Sequence, residues 1–121
     1  MTDRELLELA AFAAGIKVPT KDDYLYAYID DRGIHRDISC GGDGTRMSHW
    51  NPLTDDGDAL RLAVKLGIGL THEGQGPSGI VIVWASKSAT SDMHVEWGTD
   101  PYAAARRAIV RAAAQIGRGM E

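Results

Sequence analysis

Apolar residues at Leu6, Leu7, Leu9, Ala10, Ala13 and Ala14 recur at helical spacing and stop at Gly15, while Thr2 followed by Glu5 has the form of a capping box. A first helix is expected there. The period then shortens to two in "DYLYAYID" and again in "IHRDI", with the turn residues "DDRG" between them, so residues 24–38 read as a β-hairpin. The next stretch, "CGGDGTRMSHWNP", residues 40–52, carries neither period and reads as a glycine-rich loop.

Helical spacing returns after Pro52. Thr54 can cap a helix whose first turn holds Asp55, Asp56 and Asp58, where the helix dipole favours negative charge, and Gly67 would end it. Its predicted apolar face is Ala59, Leu60, Leu62, Ala63, Val64 and Leu66, opposite Asp58, Arg61 and Lys65. "IGLTH", "SGIVIVWAS" and "MHVEWG" read as strands, and the middle one, apolar on both faces, belongs in the centre of a sheet. Asp100 as N-cap with Pro101 at the first helical position opens a last helix, for which Gly117 is the expected stop. The order αββαβββα predicts a single α+β domain over residues 1–121, with an antiparallel sheet of about five strands and three helices.

Charge narrows the partners. With 13 basic against 17 acidic residues the chain carries a net charge of -4, which argues against sequence-independent duplex binding and leaves room for a small anion in a local basic pocket. The single cysteine, Cys40, rules out an internal disulfide and makes a reducing, cytoplasmic compartment the default. The N-terminal stretch lacks a basic region before its apolar residues and is interrupted by Glu5 and Glu8, so neither a signal peptide nor a membrane span is expected.

Catalytic and metal chemistry find little footing. His35, His49, His72 and His94 fall at no recognised spacing with each other, with Cys40 or with the serines, and a buried small residue is the ordinary role of such a cysteine. "DDGD" at 55–58 lacks the alternation of a calcium loop and has Leu66 where its glutamate should stand; "HVE" at 94–96 lacks the paired cysteines of zinc deaminases. No metal, no cofactor and no enzymatic activity are expected.

A ligand cradle fits better. In "GGDGTR", Gly41, Gly42 and Gly44 can present backbone N–H groups, and Thr45 a hydroxyl, to a phosphate, with Arg46 and Arg36 as charge partners. The stretch lacks the ending of a P-loop, so a plain glycine-rich connection is the competing reading. Trp50 beside it offers an indole face for a base, whereas Trp84, at the end of the most apolar strand, reads as structural. On the last helix Arg107 and Arg111 lie away from Tyr102, Ala105, Ile109, Ala112 and Ile116, while Arg106 borders that stripe and needs either an acidic side chain or a bound anion.

"WNPLTDDGDALRLAVKLGIGL" together with "DPYAAARRAIVRAAAQIG" resembles small bacteriophage proteins of the NinX-like family, over about half of the chain. The resemblance implies a phage or prophage setting in the bacterial cytoplasm and carries no catalytic motif. It points to an accessory, counter-defence role. The expected activity is capture of a small anionic nucleotide by Arg36, Gly41, Gly42, Gly44, Thr45, Arg46, Trp50 and Arg106; the alternative is a protein–protein inhibitor of a host defence complex. A homo-oligomer is compatible with either.

Overall fold

The computed structural model describes residues 1–20, 27–37, 47–74, 79–85, 93–96 and 98–120. The elements follow in the order α1 (Asp3–Ala14), β1 (Tyr28–Asp30), β2 (Gly33–Asp37), β3 (Met47–Trp50), α2 (Asp56–Leu66), β4 (Ile68–Glu73), β5 (Ile80–Ala85), β6 (Met93–Glu96) and α3 (Pro101–Met120). The α+β class and the three helices are as expected. The order is αβββαβββα, however, and in place of one sheet of five strands there are two antiparallel three-stranded sheets, β1-β2-β3 and β4-β5-β6. The extra strand is β3, which the glycine-rich reading of residues 40–52 had absorbed into a loop. Its hydrogen bonds come from β2, a pairing that local composition does not encode.

Helix α1 begins with the reciprocal capping box of Thr2 and Glu5 and ends at Gly15, whose left-handed φ of 73° lets its N–H reach the carbonyls of Ala11 and Phe12. At α2 the cap is Asp55, not Thr54: its carboxylate accepts from the Asp58 N–H at 2.9 Å. A type of residue that caps as well as threonine stood one position later, with its backbone already extended. Asp100 caps α3 as the pattern predicted, accepting from the N–H groups of Tyr102 and Ala103.

Helix α3 does not stop at Gly117. It runs to Met120, and Gly117 is buried because a Cβ there would lie 2.1 Å from the carbonyl oxygen of Leu9. Asp3 meets Arg107 and Leu9 meets Gly117, so contacts advance together along α1 and α3 and the two helices lie parallel. Alanines at 10, 11, 108, 112 and 113, all buried, permit that close approach. The opposite side of α3 packs on all three strands of the second sheet, where Val81 and Val83 of the central strand β5 are fully buried, and α2 packs beside it. On the outer face of β5, Trp84 lays its indole over Gly69 of β4, its cross-strand partner.

Two expected faces shift. Leu60 and Val64 are 62% and 72% exposed, so the buried side of α2 narrows to Ala59, Leu62 and Ala63; Tyr102 is likewise exposed. A single core cluster nevertheless joins Ile29 and Ile34 of the first sheet to Leu53, α2, the second sheet, α1 and α3.

Candidate functional site

The hairpin β1-β2 is closed by Asp31 and Arg32, with Asp30 opposite Gly33 and Tyr28 opposite His35, and β3 continues the sheet with His49 opposite His35 and Trp50 opposite Ile34. Strand alternation then separates two faces. Ile29, Ile34 and Trp50 turn to the core, and Tyr28, Asp30, His35 and His49 turn away from it. On that outer face His35 stacks on Tyr28, with ring centroids 4.3 Å apart and planes at 17°, and meets His49 edge-on at 4.6 Å.

The result is a buried imidazole on an outward face: His35 is 3% exposed while Tyr28 is 43% exposed. Its Nε2 lies 2.9 Å from Oδ1 of Asp30, and a carboxylate can only accept, so Nε2 carries a proton and donates to Asp30. Nδ1 is buried and has no hydrogen-bond partner among the described residues. Asp30 is held below its ordinary pKa of 3.8, first by the hydrogen bond from His35, with further help from the Arg32 backbone N–H, against the opposing effect of burial.

Chemically, the carboxylate fixes the imidazole's orientation, and the fixed imidazole backs the Tyr28 ring. Among the described residues neither imidazole nitrogen is hydrogen-bonded to a hydroxyl or thiol, the contact a nucleophilic mechanism needs. Tyr28 offers the exposed side of a stack whose inner member is held by Asp30.

The residues singled out in the sequence meet different fates. Gly41, Gly42, Gly44, Thr45, Arg46 and Cys40 lie outside the described residues, in the segment that joins β2 to β3. Arg36, opposite Ser48, shares the inward face with Ile34 and Trp50, away from the ring cluster, and its guanidinium donates to the Lys17 carbonyl. Trp50 is half-buried against the core. Arg106 answers its own question with an acidic side chain: it donates to Asp56 at 2.6 Å and to the Leu53 carbonyl at 2.9 Å, and only 16% of its side chain is exposed. Arg106 is therefore corrected from a ligand residue to a tie between α3 and the start of α2.

"DDGD" is a helix entry: Asp55 is the cap, and Asp58 accepts from the Asn51 N–H at 3.0 Å and from Arg61 at 2.7 Å. Among the described residues no three His, Cys, Asp or Glu side chains gather as a metal site would require, and no helix is long and apolar enough to cross a membrane. The Asp30–His35 pair matches no motif spacing because it forms across a turn. The signal that could have found it is the hairpin register, since "DDRG" as the turn sets Tyr28 opposite His35. Comparison with protein-family models, with curated proteins and with solved structures returned no match to the chain.

Proposed function

We propose that the protein is a non-enzymatic binding module that captures a small anionic nucleotide on the outer face of its first sheet. The observation that supports this most directly is the half-exposed Tyr28 ring stacked on a buried His35 that Asp30 holds in place. A base would extend the Tyr28 stack, a contact worth roughly 1–3 kcal/mol for a nucleic-acid base on an aromatic ring. The His35–His49 pair stands one same-face step, about 7 Å, from the end of the ladder at Asp37 and Met47. The connection that starts there carries Gly41, Gly42, Gly44, Thr45 and Arg46, the sequence's best phosphate donors. The phage setting implied by the NinX-like resemblance makes this a counter-defence role in the bacterial cytoplasm, by sequestering a nucleotide signal.

Calorimetry against a panel of cyclic and linear nucleotides tests the reading. One of them is expected to bind with unit stoichiometry, and Tyr28→Leu, which keeps an apolar side chain on the strand, is expected to weaken it at least about tenfold. No heat with any nucleotide, or binding indifferent to Tyr28, overturns it. A second reading, inhibition of a host defence protein by direct contact, is favoured by Leu60 and Val64, exposed one turn apart on α2. It requires stoichiometric recovery of one protein from host lysate that is undiminished by nucleotides and lost in Leu60→Lys.

A further inference from the structure

The arginines of α3 are unequally provided for. Arg106 is paired with Asp56 and Arg107 with Asp3, whereas Arg111 and Arg118 have no acidic partner among the described residues, in a chain where acids outnumber bases. Both arginines line a cavity of about 170 Å³ beside the start of α1 and along α3 from Arg111 to Arg118. Leu6 and Ala114, both buried, and Met1 supply apolar surface there, and Gln115 adds an amide.

Arg111, Gln115 and Arg118 stand at i, i+4 and i+7, one face of the helix, so three long polar side chains border one side of a mostly apolar recess, with their heads in reach of its mouth. The volume limits the guest. A dry apolar cavity of about 150 Å³ accommodates one benzene ring, and sites for drug-sized ligands start at about 300 Å³, so a whole nucleotide is too large. Planar bidentate donors select a carboxylate over a diffuse charge.

We infer that this recess is a second binding site, separate from the ring cluster on the first sheet, for a small organic acid: a carboxylate on an apolar body of one ring or a short chain. The carboxylate sits between Arg111 and Arg118 with Gln115 donating to it, and the apolar body lies on Leu6 and Ala114. This site depends on no residue of the proposed nucleotide site.

The test is a titration of the intact protein with phenylacetate and with octanoate, followed by amide chemical shifts and calorimetry, with benzyl alcohol as the uncharged control. Phenylacetate or octanoate is expected to bind with a Kd of about 1 mM or tighter and to move the Leu6 and Ala114 amides. The ratio of the two affinities tells a ring from a chain. Arg111→Gln and Arg118→Gln, at exposed positions, are each expected to weaken binding at least about fivefold without changing the melting curve. Absence of shifts at Leu6 and Ala114 with both acids, equal binding of benzyl alcohol, or unchanged affinity in the double variant overturns the site. Nucleotide binding at Tyr28 is unaffected by any of these outcomes and is read separately.

Discussion

Asn51 joins the hairpin turn to the entry of α2 through both its backbone and its side chain. Its N–H donates to Asp58, its Oδ1 accepts from the Leu53 N–H at 2.9 Å, its Nδ2 donates to the Arg32 carbonyl at 2.8 Å, and its own carbonyl accepts from Thr54 and Asp55. Truncation leaves the Arg32 carbonyl and the buried Leu53 N–H without these partners. Asn51→Ala is therefore expected to cost about 3 kcal/mol in urea unfolding, against a few tenths for a typical surface substitution. "WNP" was legible as the entry to a helix, but the reach of Asn51 back to the hairpin turn was not, because the two are brought together only by β2-β3 pairing. A second residue-scale expectation concerns acid. The folded-state pKa of Asp30 is depressed, so its pairing with His35 stabilises the protein above pH 3.8 and is lost as pH falls through the lower folded value. Asp30→Asn should flatten the acid limb of the urea midpoint plotted against pH. An unchanged limb would mean the pair contributes nothing to folding.

At the scale of elements, termini written by adjacent residues could be read directly: the Thr2–Glu5 box, the Asp100 cap and the glycine stops at 15 and 67 all stand where local chemistry puts them. Features set by distant neighbours could not. β3 looked like loop because its partner is elsewhere in the chain. Arg106 looked available because Asp56 lies fifty positions away in sequence. Gly117 looked like a stop because glycine commonly ends helices, yet it is there for the Leu9 carbonyl. Two glycines on α3 make this testable. Gly117→Ala gains helix propensity but drives a methyl into the α1 backbone, and a net loss of about 1–3 kcal/mol is expected from the forced separation of the helices. Gly119 meets nothing within 4 Å, so Gly119→Ala should be neutral or stabilise by up to about 1 kcal/mol. Thermal melts of the two variants should move in opposite directions, and movement in the same direction would remove the close-approach account of Gly117.

For the whole molecule, the two sheets are held unequally. The second sheet is covered by α3 along all three strands, and α3 is itself gripped by α1 and α2. The first sheet joins the same core through Ile29, Ile34 and the half-buried Trp50, and is tied to α2 by Asn51 alone among the described polar side chains that bond across from the hairpin turn. Fewer buried apolar side chains, with the Asn51 links and the Arg36 bond to the Lys17 carbonyl as polar ties, imply a lower free energy of local opening, since such openings follow the cooperative units of a fold. Amide exchange under native conditions should accordingly be faster at Ile29, Ile34 and His49 than at Val81, Val83 and Val110. In Asn51→Ala the first group should lose further protection beyond what the global loss of stability explains, while the second tracks global unfolding. Such a division matters for the proposed function. A ring cluster on the looser sheet can be tightened by a ligand, so a nucleotide that binds at Tyr28 should slow exchange at Ile29, Ile34 and His49 before it affects β5. If both groups exchange together in the free protein and in Asn51→Ala, the molecule opens as a single unit, and nucleotide binding at the first sheet would then have to protect β5 and α3 equally.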